Sequence, residues 1–421
     1  MAGSGQATGK RPVVLLVTGH LPYPPVSGGR LRELELLTRL SDRFRFHLFV
    51  ASRTFEEDRA NAPALERSCE SVRVWLAGRD PFPSGRATPE LVRGIWSPGL
   101  AGAAADILAS EAVDLVHVER FHLAPHLPAA LEVPLLLAEQ NIEYSLWHQR
   151  MRLARGPQLR RRYVFEYALT VRAEIEAWRR ADMVTAVTEE DARTIRSALP
   201  DKDVRIVPQG ALPPSQGEEP VQGAERGAVV FAANFGYRPN VDAALQLLEH
   251  IFPRVRTAFP WARLYLVGND PPEEILTAAG DSVVVTGRVP SLLPYLARAE
   301  VVICPLREGG GMKAKVVEAL SLGKAVVTTS IGAQGFGPQA SEAMRIEDRP
   351  AALARATIDL LRDEVGRRNL EARARRLAAS LPTWEEAAEA LAACYGDLLV
   401  SPADAAAVRP SAPMNPRPAR R

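Results

Sequence analysis

The sequence predicts an α/β protein made of two Rossmann-like halves whose parallel sheets face each other across a cleft. Three observations carry this reading. The chain has 421 residues, too many for one ordinary core. Short, continuous apolar runs alternate with helical patterns along most of its length, as buried parallel strands require. A stretch at 212–227 (LPPSQGEEPVQGAERG) is almost free of apolar side chains and divides that alternation in two. Apolar residues make up 47% and charged residues 24%, a balance that excludes disorder as a whole-chain reading. The 52 basic and 50 acidic side chains leave a net charge of +2, so nothing global points to nucleic acid as a partner, and any phosphate site must be local.

Residues 1–11 are small and polar and are expected to form a disordered leader. The run 12–18 (PVVLLVT) predicts a buried strand, and 31–40 predicts a helix with Leu34, Leu37 and Leu40 toward the core and Arg30, Arg32, Glu33 and Arg39 toward water. A second strand at 44–51 (FRFHLFVA) completes a βαβ unit, whose crossover should be right-handed. Further strands are expected at 114–118, 134–138, 183–188 and 204–207, which gives a first domain over 12–211. After the linker at 212–227, strands at 228–233, 262–268, 282–286, 300–305 and 325–329 outline a second domain over 228–381. The segment 382–400 reads as a final amphipathic helix, and 401–421 as a disordered Pro, Ala and Arg tail.

Cys69, Cys304 and Cys394 are scattered and form neither a disulfide framework nor a zinc site. Residues 1–10 lack the apolar core of a signal peptide, and no stretch has the length and apolarity of a membrane span. Together these features predict a cytoplasmic protein.

In open parallel sheets ligands bind beyond the carboxyl ends of the strands, so the loops at those ends are where chemistry is sought. The loop 19–32 (GHLPYPPVSGGRLR) places Gly28 and Gly29 just before a helix, whose free amides and dipole suit a phosphate; the plainer reading is a simple turn. The loop 304–322 (CPLREGGGMKAKVVEALSL) runs from a strand end through three glycines into a helix carrying Lys313, Lys315 and Glu318. A departing nucleoside diphosphate needs fixed positive charge, and its ribose needs a carboxylate, so Lys315 and Glu318 are candidates for these tasks; otherwise they are a solvated i, i+3 pair. The segment 114–122 (DLVHVERFH) clusters His117, Glu119, Arg120 and His122, where His117 or Glu119 could bind acceptor or move a proton, or serve only structurally. The DxD formed by Asp201 and Asp203 falls in a helix-to-strand turn, away from the expected cleft. The arginines between Arg150 and Arg180 leave peripheral contact with the inner face of the plasma membrane open, although Glu166, Glu174 and Glu176 interrupt them and favour a solvated helix.

Taken together, these pieces resemble glycosyltransferase family 4, which has the GT-B fold, from about Val13 to Leu398. The resemblance lies in GGR after the first strand, IVPQGA at 206–211, FAANFGYRPNVDAAL at 231–245, LYLVGND at 264–270, VTGRVPSLLPYLARAEVVICPL at 285–306 and GGGMKAKVVEALSLGKAVVTT at 309–329. The branch that it resembles is often associated with exopolysaccharide or other surface-glycan synthesis. The resemblance implies a nucleotide-sugar donor, a glycan, lipid-linked or small-molecule acceptor, retention of configuration, and no metal or other cofactor. It also implies donor-binding roles for Gly28, Gly29, Gly287, Arg288, Val289, Lys315 and Glu318, and a last helix that returns to the first domain with Trp384 bracing the hinge.

The sequence departs from the family pattern at three places. Gly310 stands where the family's first motif carboxylate belongs, which makes Glu308 and the backbone of Gly310 and Gly311 candidates for the sugar. Asn234 and Asn240 replace a basic pair, and Lys313 and Lys315 are expected to restore that charge. Glu119 occupies a cleft position often held by His. These departures keep two other classes open: a sugar-nucleotide epimerase of the same architecture, which needs no acceptor, and a non-catalytic descendant that binds nucleotide or glycan.

Overall fold

The computed structural model describes residues 10–79, 82–83, 87–211 and 224–400. The expected leader through residue 9, the linker from 212 to 223 and the tail from 401 lie outside the described residues. The first sheet holds seven strands: β1 (Val13–Thr18), β2 (Arg45–Ser52), β3 (Ser71–Leu76), β4 (Leu115–Glu119), β5 (Leu135–Glu139), β6 (Met183–Ala186) and β7 (Asp203–Ile206). The second holds six: β8 (Ala228–Ala232), β9 (Arg263–Val267), β10 (Val283–Val285), β11 (Val301–Cys304), β12 (Val326–Thr328) and β13 (Arg345–Ile346). Their orders are β3-β2-β1-β4-β5-β6-β7 and β10-β9-β8-β11-β12-β13. All pairings within both sheets are parallel. Each order reverses beside its first strand, and this is where an open α/β sheet leaves a crevice.

The helices of eight residues or more are α1 (Gly28–Leu40), α2 (Leu100–Ser110), α3 (Glu143–Leu153), α4 (Pro157–Arg180), α5 (Glu189–Ala198), α6 (Arg238–Gln246), α7 (Ala314–Ser321), α8 (Pro350–Arg362), α9 (Glu364–Ala379) and α10 (Trp384–Leu399). Three apolar clusters follow from this layering. One fills the second domain, and the other two cover the opposite faces of the first sheet.

Two strands, β3 and β13, arise where the sequence predicts none. β3 is an edge strand with an exposed Arg73 and half-buried neighbours, and β13 has only two residues, so neither presents the continuous apolar run of a central strand. The structure also corrects the first helix. It begins at Gly28 rather than Leu31, with the Ser27 side chain accepting from the Arg30 amide as an N-cap. Arg32 and Glu33 are buried rather than solvated. The guanidinium of Arg32 donates to the carbonyls of Val207 and Pro208 at 2.7 and 2.5 Å, satisfying backbone oxygens beyond the end of β7.

α4 needs a similar correction. Glu166 and Glu174 do not interrupt a solvated face, because both point inward. Glu166 accepts from the Glu90 amide and from Arg93, and Glu174 accepts from the amides of Glu143 and Tyr144 and so caps α3. The DxD lies at the amino end of β7, where Asp203 pairs with Arg205. That end is opposite the carboxyl ends of the strands.

The chain passes between the domains at two adjacent points. Ala211 leaves the first domain bonded to the Pro382 carbonyl (2.8 Å) and bridged to Thr383, just where the chain comes back. Thr383 and Glu386 then form a capping box that starts α10. This helix buries Trp384, Leu391 and Tyr395 against Leu36, Leu37 and Phe44 of the first domain. The Trp384 ring lies so close to Gly210 that a Cβ there would fall 2.3 Å from it. Trp384→Ala should therefore destabilise the protein by about 3–5 kcal/mol, the usual cost of emptying a large aromatic site. Denaturant unfolding with a loss below about 1 kcal/mol would show that α10 is a dispensable appendage.

Candidate active site

The floor of the first domain is built by the carboxyl ends of β1, β4 and β5. Alternation along β4 puts His117 and Glu119 on one face, toward α1 and α10. His117 pairs in register with Leu16 and Leu136 in the middle of the sheet and is 2% exposed. Its Nδ1 meets the Tyr395 hydroxyl at 2.6 Å, and its Nε2 lies 3.4 Å from Glu119. His117 is thus enclosed under the helices and meets the strand end through Glu119. Burial alone would raise the Glu119 carboxyl, but contacts with His117, Arg32 and Gln140 outweigh it and bring it down to about 2. A carboxylate of that kind stays charged at physiological pH and is suited to holding a hydroxyl or positive charge rather than taking up a proton.

Gln140, directly after β5, links this floor together. Its Nε2 donates to Glu119 and to Glu33, each at 3.0 Å, and its Oε1 accepts from Arg120, also at 3.0 Å. Glu33 in turn lies 3.1 Å from His20. Arg120 has φ +75°, an unfavourable conformation for a residue with a Cβ, and such strain gathers at sites where surrounding contacts enforce it. Beside it, burial, with help from Arg120, holds the His122 imidazole well below its ordinary range.

The second-domain floor is the loop from β11 into α7. Lys313 is buried, and its ammonium donates to the carbonyls of Gly310 and Gly311 at 2.9 and 2.6 Å and to Gln334 at 3.2 Å. Burial brings its pKa down to about 8. Lys313 therefore clamps the glycine loop, and its donors point at carbonyls. Lys315, one step into α7, donates to Asn240 Oδ1 at 2.5 Å and lies 5.0 Å from the Phe231 ring centroid. Asn240 in turn donates to the Asn234 carbonyl at 2.6 Å, so Asn234, Asn240 and Lys315 form one connected group. Glu318 is half-buried. Burial pushes its carboxyl up, against the pull of Lys315, and among the described residues it has no hydrogen-bond partner for its side chain. Arg288 is exposed after β10, while Val289 packs on the second-domain core.

The two floors meet through glycines. A Cβ on Gly310 would fall 2.9 Å from that of Asn141, and one on Gly311 would fall 2.6 Å from the Gln140 carbonyl. A Cβ on Gly28 would sit 3.1 Å from that of Ala314, which brings the amino ends of α1 and α7 against each other. Side chains would hold the domains apart at all three positions. Polar contacts fasten the approach. In the orientation that satisfies both ends of its amide, Asn141 donates to Gly310 O at 2.9 Å. Gln149 of α3 accepts from the Gly309 amide at 2.8 Å and donates to its carbonyl at 3.2 Å. Glu308 is buried in this interface, 3.2 Å from Arg150.

The structure thus gathers Gly28, Gly29, Gly310, Gly311, Lys313, Lys315, Glu318 and, through Gln140, Glu119. His117 sits beneath that group, Glu308 is held by Arg150, and Arg288 lies on the loop after β10. Gln140, Asn141, Gln149 and Tyr395 are not among the residues singled out from sequence, although the polar run after the apolar 134–138 stretch was a strand-end signal. Among the described residues no group of three or more His, Cys, Asp or Glu side chains is placed to hold a metal ion. A groove of about 680 Å³, lined by Val92, Pro125, Leu169 and Arg172 among others, flanks α4 and shares no residue with the glycine loops.

Residues 226–363 match the family model of the group 1 glycosyl transferases. Among curated proteins none matches in sequence. Solved structures of similar fold include sucrose-phosphate synthase from Thermosynechococcus elongatus, with TM-score 0.70 and 17% identity over 92% of this chain and 99% of that one. Anabaena HepE in complex with UDP and glucose gives TM-score 0.62 and 14% identity over 92% and 100%. A putative UDP-N-acetylglucosamine 2-epimerase from Listeria monocytogenes gives 0.56 and 11% over 92% and 96%.

One buried acid gives a test of the first-domain floor. Glu139, at the end of β5, accepts from Trp178 Nε1 at 2.8 Å, and burial raises its carboxyl to about 8. A folded pKa above the unfolded value gives stability that is complete below about pH 4.5 and is lost as pH rises through 8. Glu139→Gln should therefore gain in melting temperature relative to the wild type as pH rises from about 5 to 8. A difference between the two proteins that does not vary with pH would contradict this assignment. The chain thus shares the two-domain GT-B fold of these solved structures over most of its length, and its residues 226–363 match the group 1 glycosyl transferase model.

Proposed function

We propose that the protein is a retaining glycosyltransferase of the family 4 kind, taking a sugar from a nucleoside diphosphate donor to a glycan or lipid-linked acceptor in surface-glycan synthesis. One observation supports this most: glycines bring the amino ends of α1 and α7 together from opposite domains, with Lys315 behind. The first-turn amides of a helix cannot be reached by its own carbonyls and carry partial positive charge, so two such ends facing one crevice suit a diphosphate.

In this reading the diphosphate lies between Gly28, Gly29 and the start of α7, where the amides and Lys315 stabilise the charge that grows as the glycosidic bond breaks. Asn240 aims the lysine. Glu318, whose side chain has no hydrogen-bond partner among the described residues, accepts from the ribose hydroxyls, and the loop of Gly287 and Arg288 meets the base. The sugar lies toward Gly310 and Gly311, and the acceptor lies on the first-domain side near Glu119 and His20. The departing phosphate takes the acceptor proton on the face from which it leaves, which retains configuration. His117 is a positioning residue that acts through Glu119. Donor binding in this account needs no metal.

A thermal-shift screen against UDP, GDP, ADP and CDP, each with and without EDTA, tests the reading. One nucleotide should raise the melting temperature, unaffected by EDTA, because a ligand that binds only the native state stabilises it. No shift with any nucleotide would overturn the donor site. Lys315→Ala should weaken donor affinity about tenfold or more, equivalent to about 1.4 kcal/mol. Unchanged affinity and turnover would remove the lysine from the site.

A further inference from the structure

α4 presents two very different faces. Its inner face buries Tyr163, Glu166, Thr170, Glu174, Ala177 and Trp178. Its outer face carries Arg161, Val164, Phe165, Ala168 and Arg172, spaced as one helical stripe, and all five are exposed. Phe165 is 56% exposed and Val164 is 46% exposed, and Leu153 at the end of α3 adds a third large apolar side chain at 39%. Isolated exposed apolar residues need no explanation, but two adjacent ones on a stripe bounded by arginines are a patch.

The charge around this patch is predominantly positive. Arg152, Arg155, Arg160, Arg161, Arg162 and Arg172 are all exposed, while the one acid between 152 and 173 is Glu166, which is buried. Glu90 reaches Arg162 from a neighbouring segment at 3.1 Å, and Glu176 is the first exposed acid farther along α4. Apolar side chains that penetrate an interface, ringed by arginines, match a surface that is apolar beneath and anionic at its head groups. The same α3–α4 pair meets the second domain on another side, through Gln149, Arg150 and a 2.6 Å hydrogen bond from Arg238 to the Tyr163 hydroxyl. A surface that seats the outer face of α4 therefore lies beside the cleft.

We propose that the outer face of α4, with the end of α3, docks on an anionic lipid bilayer, inserting Phe165 and Val164 while the surrounding arginines meet the head groups. No helix among the described residues is long and apolar enough to cross a membrane, so this is attachment at the interface. The proposal stands apart from the transferase reading, because vesicle binding is measured without donor and donor binding without vesicles.

The test is co-sedimentation of the full chain with phosphatidylcholine vesicles with and without phosphatidylglycerol, at low and high salt. The chain should sediment with the anionic vesicles only, and less at high salt. Phe165→Asp should abolish most of the binding, and each of Arg161→Glu and Arg172→Glu should weaken it about fivefold or more. All three sites are exposed, so the melting temperatures should be unchanged. Failure to sediment, or equal binding by the variants, would overturn the proposal. So would a doubled mass in light scattering that Phe165→Asp returns to the monomer value, since a second copy would then be the occupant.

Discussion

The close approach of the 309–311 backbone to Gln140 and Asn141 is the constraint on which the rest of the molecule depends. A loop without side chains is the only kind that can sit this near the end of β5. Lys313 holds its carbonyls from behind, and Gln149 pairs with the Gly309 backbone from in front. That contact sets how far apart α1 and α7 begin, and hence whether two positive helix ends can act on one diphosphate. Glu308 and Arg150 add an ion pair at the rim. A buried pair of this kind favours one register of the domains more than it adds net stability.

Behind the first-domain floor, a polar chain runs from Tyr395 through His117 and Glu119 to Gln140, and from there to Glu33 and His20. It starts on α10, the last helix, and ends at the cleft. The helix α10 is therefore tied to the site as well as to the core. Trp384 on Gly210 and the bridge from Ala211 to Thr383 fix the point where both crossings occur. Domain closure about such a point can bring the glycine loop to Gln140 without disturbing either sheet.

The central strands were legible in the sequence because both of their faces are buried, so runs such as 13–17 and 301–304 are apolar throughout. The edge strands were not, since β3 is half-exposed and mixed in character. The glycine loops, Lys315 and Glu318 could be picked out because Gly-Gly and Gly-Gly-Gly before a helix are rare enough to notice. Periodicity gave the wrong environment for Arg32, Glu33, Glu166 and Glu174. It assigns charged residues to water, whereas Arg32, Glu166 and Glu174 are drawn inward by backbone carbonyls and amides beyond their own helices, and Glu33 by the side chains of Gln140 and His20. Gln140 and Asn141 carry no signal beyond their place after the apolar 134–138 run, and Gln149 carries none, since all three are single uncharged amides whose cross-domain partners lie in distant segments of the chain. Only the folded arrangement shows that they join the two domains.

Gly310→Val tests most directly whether the glycine approach makes the site, with nucleoside diphosphate affinity and turnover of the donor measured on the same preparation. The account predicts that turnover falls about a hundredfold, or roughly 2.7 kcal/mol of transition-state stabilisation, and that nucleotide affinity falls as well, though less, because α7 and Lys315 keep their hold on the diphosphate while the amino end of α1 is withdrawn. Turnover within a few-fold of the wild type would contradict it, because a side chain between the Gly310 backbone and Asn141 would then leave the reacting geometry untouched.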